Sequence, residues 1–166
     1  MTDWVWGIDP GIARVAAAFA GPGDDELDVD SALVGVLERD GARLATLAAV
    51  VRASARGWAA EFPPACVWVE QPSGKGRNLQ LAYAVGVIQA ALAECLEVPV
   101  WTIPAAKWKA ATVRNGSASK RDVAAWIAEF DVDTRNQDEV DALAIALAGR
   151  AIFRARRWEM QVERSD

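Results

Sequence analysis

Histidine is absent from all 166 residues. Without an imidazole the chain cannot build a Ser-His-Asp or Cys-His nucleophile, nor the usual zinc centres, and a carboxylate site for a hard metal is what stays open. Cysteine is scarce: Cys66 and Cys95 lie in apolar contexts without metal-ligand spacing, which reads as buried, reduced thiols. No segment approaches the roughly 18 to 20 uninterrupted apolar residues of a membrane span. The first residues lack the basic and apolar regions of a signal peptide, so a cytoplasmic protein with no membrane partner is expected. Repeats, long linkers and low-complexity tracts are missing too.

What is there suits one folded domain. The composition is 52% hydrophobic and 25% charged, and the length fits a single core, expected over residues 1-158 with 159-166 as a flexible tail. The net charge of -5 hides a division: residues 1-69 sum to -5, 70-126 to +3 and 127-166 to -3. The basic middle holds Lys75, Arg77, Lys107, Lys109, Arg114, Lys120 and Arg121, and a second group, Arg150, Arg154, Arg156 and Arg157, lies near the C-terminus. A solvated face is the ordinary use of such runs, and a nucleic-acid strip is the alternative.

Apolar patterning predicts strands over residues 4-9 and 15-20, a third within Ala32 to Glu38, and a helix from Leu44 to about Phe62. The acidic stretch from Asp24 to Asp30 reads as a solvated connection. Pro63 and Pro64 stop the helix, and CVWVEQP follows as a strand covered on both faces. A helix over 79-96, a strand in VPVWTIP, a short helix over 105-113, one capped by Ser119 with Asp122, and one from Asn136 to the Arg150 region complete a mixed α/β domain. Trp126 shares a helical stripe with Val123, Ile127 and Phe130 and reads as core, whereas Trp108 is left between core and a place beside DNA.

Two strands end in an acid that their patterning does not explain. In WVWGIDPG, alternation sets Val5, Gly7 and Asp9 on one face; Cys66, Trp68 and Glu70 follow the same plan. If these strands are neighbours the carboxylates meet, and they repel unless a cation or proton intervenes. Asp138 and Asp141 share a helical face near a positive helix N-terminus, while Asn136 and Glu139 fit a capping box. Ordinary first-turn acids are the bland alternative for this pair. Oxygen donors without histidine suit Mg²⁺ or Mn²⁺, and a two-metal phosphodiester hydrolysis would use such a set with Asp9 as bridging ligand.

In order, GIDPG at 7-11, VWVEQP with Glu70, Asn78 and Gly86, KWKAATVRNGSASK and DEVDALAIALA resemble the RuvC family of Holliday junction resolvases, over most of residues 5-149. The resemblance implies a ribonuclease-H-like fold, a five-stranded mixed sheet flanked by helices. It implies a homodimeric endonuclease that nicks a four-way DNA junction at two symmetric positions, leaving 5'-phosphate and 3'-hydroxyl ends. Asp9, Glu70, Asp138 and Asp141 match the four acidic positions, implied to be catalytic and to hold two Mg²⁺ ions, with Mn²⁺ as substitute. Lys109 and Lys120 match basic positions beside the DNA backbone, and Lys109 joins the catalytic set. Lys75, Arg77, Asn78, Lys107, Arg114 and Arg121 are further DNA-binding candidates. A branch-migration motor is a candidate partner, and a phage or prophage source, acting in the nucleoid or an infected host's cytoplasm, fits the pattern.

Two departures mark this member. Pro72, Ser73, Gly74 and Lys75 stand where relatives often carry a wedge aromatic, and the final acidic block lacks the histidine some relatives use. The helix between Leu79 and Leu96, with Leu81, Val85, Ile88 and Leu92, is the expected dimer interface. Three alternatives remain open: a broader flap or fork nuclease, a non-catalytic junction-binding scaffold, and a small actin-like ATPase, prompted by GIDPG alone.

Overall fold

The computed structural model describes residues 4-11, 13-23, 26-33, 40-72 and 79-162. Its strands are β1 (Trp4–Asp9), β2 (Arg14–Ala20), β3 (Leu27–Leu33), β4 (Pro64–Gln71) and β5 (Val100–Pro104). Its helices are α1 (Asp40–Glu61), α2 (Leu79–Leu96), α3 (Ala105–Thr112), α4 (Lys120–Ile127) and α5 (Gln137–Val162). The strands form one sheet in the order β3-β2-β1-β4-β5. β1, β2 and β3 run antiparallel in turn, while β4 pairs parallel with both β1 and β5. This is the mixed five-stranded sheet expected from the sequence.

Alternation along the central strands builds a core on each face. Val5, Ala16, Ala18, Cys66 and Trp68 pack beneath α5, with Trp108 of α3 and Val123 and Ile127 of α4. Trp6, Ile8, Phe19, Val67 and Val69 face Leu47, Val51, Ala55 and Trp58 of α1 and Ala84, Val85, Ile88 and Leu92 of α2. Burial on both faces explains why β4 reads as an unbroken apolar run. The indole nitrogen of Trp6 is satisfied by the Phe62 carbonyl at 2.8 Å.

Several expectations shift. The third strand, Leu27–Leu33, begins before the expected Ala32, so much of the acidic "connection" is strand; residues 34-39 lie outside the described set. Asp30 has a use there, accepting from Trp58 Nε1 at 2.8 Å and pairing with Arg135 at 3.3 Å. The last helix runs to Val162, past the Arg150 region. Part of the C-terminal arginine group is structural: Arg150 is buried and donates to the carbonyls of Gly21 and Gly23 at 3.0 and 2.7 Å. Arg156 lies over the rings of Trp68 and Trp101 at 5.9 and 5.3 Å. Helix α2 is long and apolar enough to cross a membrane, with mean hydropathy 1.5. Here, however, Val85, Ile88 and Leu92 are in the core rather than on the open face proposed for them. The exposed side carries Leu79 (60% exposed) and Tyr83 (55%), with Ala82, Gly86, Ala90 and Ala93.

Gly7 decides where α5 lies. A Cβ on Gly7 would run into the backbone of Ala142 and Ala146, so the helix rests directly on β1. That contact brings the first turn of α5 to the end of β1. Gly57, in contrast, has open space around it on α1. Gly7→Ala should lower the unfolding free energy by about 3 kcal/mol, because backbone cannot move aside as a flexible side chain would. Gly57→Ala should be neutral or stabilise by about 0.5 to 1 kcal/mol. Urea unfolding of both variants checks this pair, and equal effects would contradict the packing account.

Candidate active site

Asp9 closes β1 and Glu70 stands one residue from the end of β4. The parallel register pairs Ile8 with Val69, which sets the two acids level on adjacent strands and on the face covered by α5. Asp138 and Asp141 come from the first turns of α5, where the unpaired helix N–H groups favour negative charge. The four predicted acids are thus brought together. Burial and the charges of Glu70, Asp141 and Asp138 push the Asp9 carboxyl up to about 8, opposed by Lys120. Glu70 is raised by burial and by Asp141, and Asp141 mainly by burial.

Cations and donors hold this crowd in place. Lys120 Nζ lies 3.9 Å from Asp141 Oδ2, and Gln137 donates to Asp141 Oδ1 at 2.9 Å. Lys109 and Lys120 both pull Glu70 and Asp141 back toward ionisation. Lys109 Nζ is itself fixed by the Ala118 carbonyl at 2.9 Å and lies 5.4 Å from the Trp108 ring centroid. Ser119 and Asp122 form the expected capping box, which fixes the start of α4 and with it Lys120. At the start of α5 the box is only half present. Asn136 Oδ1 accepts the Glu139 N–H at 3.1 Å, but the buried Glu139 carboxylate turns to Arg135, taking its N–H at 2.7 Å and its guanidinium at 3.1 Å.

Trp108 belongs to the site without touching solvent. It is 1% exposed, and its Nε1 donates to Glu70 Oε2 at 3.3 Å. This favours the core reading of Trp108 and adds an orienting role that periodicity could not reveal. Gln137 was missed as well, although its i, i+4 spacing to Asp141 was a usable signal. Trp126 is half-buried against the core, edge-on to Phe130, as expected.

Of the other predicted residues, Lys107, Arg114 and Arg121 are exposed on or beside α3 and α4, and among the described residues they make no contact with the four acids. Lys75, Arg77 and Asn78 lie outside the described residues. On the opposite flank, a pocket of about 410 Å³ is lined by Asp9, Pro10, Gly11, Ala13, Arg14, Leu81 and Asp138.

Oxygen donors alone suit a hard divalent cation. Among the described residues no three acidic or cysteine side chains close on one point at ligating distance. Glu70 is turned to Trp108 and Asp141 to Gln137 and Lys120, so the set is gathered rather than closed. Acids at the ends of adjacent parallel strands, joined by a helix N-terminus and flanked by lysines, make a carboxylate-centred site suited to metal-assisted phosphodiester hydrolysis on an α/β fold.

Comparison with known proteins takes this further. The family model described as crossover junction endodeoxyribonuclease RuvC matches residues 5-149. The chain therefore belongs to the RuvC family, and it is a Holliday junction resolving endonuclease. RuvC-family nucleases are divalent-metal dependent. Thermus thermophilus RuvC superposes with TM-score 0.70 at 27% identity, covering 93% of this chain and 96% of that one. The same protein in complex with Holliday junction substrate gives 0.70 at 29%, with the same coverage. A yeast mitochondrial Holliday junction resolvase shares the fold at TM-score 0.56 and 17% identity, covering 98% of this chain and 81% of its own. Comparison with curated protein sequences gives no match. Family membership leaves the ATPase and scaffold alternatives without support.

The raised acids make stability pH-dependent. Asp9 titrates near 8 when folded and near 3.8 when unfolded, so its contribution is fully present below the lower value and is lost as pH rises through the upper. Glu70 and Asp141 act in the same direction. In chelator, the melting temperature should fall between pH 5 and pH 9, and Asp9→Asn should flatten the decline; a melting temperature rising across this window would refute the assignment.

Proposed function

We propose that this chain nicks four-way DNA at two symmetric positions, each active site hydrolysing one phosphodiester to 5'-phosphate and 3'-hydroxyl ends. The convergence of Asp9, Glu70, Asp138 and Asp141 at one end of the sheet carries the reading. The junction-bound state of Thermus thermophilus RuvC, a relative of the same family and similar fold, supports the substrate.

The four acids would hold two Mg²⁺ ions, or Mn²⁺ in their place, with Asp9 central. Such ions, when bound, supply water activation at neutral pH and stabilisation of the leaving 3'-oxygen. Asp9 must lose its proton to serve as a ligand, so metal uptake releases a proton near neutral pH. Lys109 and Lys120 hold the substrate phosphate and offset charge that develops on it, with Lys107, Arg114 and Arg121 extending the basic strip over α3 and α4. Trp108 keeps the Glu70 carboxylate oriented.

Two coordinated cuts call for two copies. The exposed side of α2, with Leu79 and Tyr83, supports a homodimer in which equivalent helices meet. A branch-migration motor as partner, and the nucleoid or a phage-infected cytoplasm as the place of action, fit this role.

Purified protein titrated against matched four-way, three-way, flap and linear DNAs with Mg²⁺ or Mn²⁺ tests the reading. Paired symmetric nicks confined to four-way DNA, by a species that sediments as a dimer, are expected; equally rapid cutting of linear duplex would reject it. Asp9→Asn should abolish cleavage and retain the fold. Trp108→Phe keeps the ring but not the N–H, and should weaken Mn²⁺ binding to the free protein by about tenfold. An unchanged Mn²⁺ titration would remove Trp108 from the site's supporting groups.

A further inference from the structure

The cations that face the acids all come from α3 and α4, on the β4–β5 side of the site. On the other side of β1 stands Arg14, the first residue of β2. Register places Ala16 opposite Asp9, and alternation along β2 puts Arg14 on the same sheet face as Ala16. Its guanidinium has no ion pair or hydrogen bond among the described residues, and the cation that offsets Asp9 is Lys120. Arg14 is half-buried in the wall of the pocket of about 410 Å³, between Asp9 and Asp138 on one hand and the apolar surfaces of Pro10, Ala13 and Leu81 on the other.

An arginine held beside a carboxylate cluster without a partner in it is suited to an anion from outside. The pocket opens at the carboxyl end of β1, where α/β sheets place their ligands. β2 and β5 are three strand spacings apart, roughly 14 Å, so Arg14 and the lysines can grip one DNA strand a few nucleotides apart. Arginine is the better residue for the outer grip because its planar fork takes two phosphate oxygens at once.

We propose that this pocket is a second nucleotide subsite. Arg14 takes a phosphate flanking the scissile one, on the side away from Lys109 and Lys120, and Pro10, Ala13 and Leu81 take the adjoining deoxyribose. The subsite rests on the nuclease reading and adds a determinant of how the cut strand is seated.

The test uses the full chain, with Arg14→Met, which keeps the aliphatic stem, and Arg14→Lys, which keeps the charge. Binding to labelled four-way DNA is measured by anisotropy without divalent ion across a salt series. Arg14→Met should lower the slope of log affinity against log salt by about 0.9, the loss of one phosphate contact, while Arg14→Lys restores it. In Mg²⁺, a neutral methylphosphonate at the flanking phosphate should slow the wild type by about tenfold and slow Arg14→Met no further, the signature of a shared contact. Wild-type protein that cuts junctions normally, alongside an Arg14→Met variant with the same melting temperature, salt slope and methylphosphonate profile, overturns the subsite alone. Wild-type protein that neither binds nor cuts four-way DNA overturns both the subsite and the function on which it rests.

Discussion

The close approach of α5 to β1 at Gly7 is the constraint on which the rest depends. The helix supplies two of the four acids, and where its first turn falls is decided at Gly7, two residues before Asp9 on the same strand. With backbone against backbone at Ala142 and Ala146, the helix axis cannot ride up on a layer of side chains. The run of small residues through Ala142, Ala144, Ala146 and Ala148, all buried, belongs to the same solution. Once α5 is seated, the strand ends bring Asp9 and Glu70 to its N-terminus without further adjustment.

Strong periodic signals were legible before the structure. The two acid-ended strands, their shared face and the first-turn acids of α5 follow from period two and period 3.6, and the ordered motifs tie them to one family. The third strand was misplaced because Asp28 and Asp30 break the apolar pattern at a sheet edge, where alternate positions face water and Asp30 is held by the Trp58 indole from another element. The open side of α2 was misassigned for a related reason. An all-apolar helix does not say which side is buried, and the largest residues of α2, Val85, Ile88 and Leu92, went to the core while Leu79 and Tyr83 stayed outside.

Single hydrogen bonds were less legible than elements. Trp108 sits in a short helix whose pattern allows either core or surface, and only the packing of α3 against α5 and β5 aims its N–H at Glu70. Arg14 follows GIDPG closely, yet in the sequence it is one charge at a strand start. Its position becomes informative when β2 returns beside β1 and places it across Asp9 from the lysines.

Electrostatics then explain why the site is built from a rigid frame. Burial and neighbouring carboxylates raise the proton affinity of Asp9, Glu70 and Asp141 at the edge of the core, and the two lysines offset this in part, leaving Asp9 protonated near neutral pH. A flexible site would relieve that repulsion by letting the carboxylates swing into water. Here the strand ends, the α5 contact, the indole on Glu70 and the amide on Asp141 hold them, so the repulsion is met by a proton on Asp9. On the proposed function, this arrangement would tie metal entry to proton release and to the approach of DNA, whose phosphates would bring negative charge for Lys109, Lys120 and the ions to share. The stability that the protonated acids contribute is thus lost as pH rises through about 8, and the frame is held by two separate cores, one on each sheet face.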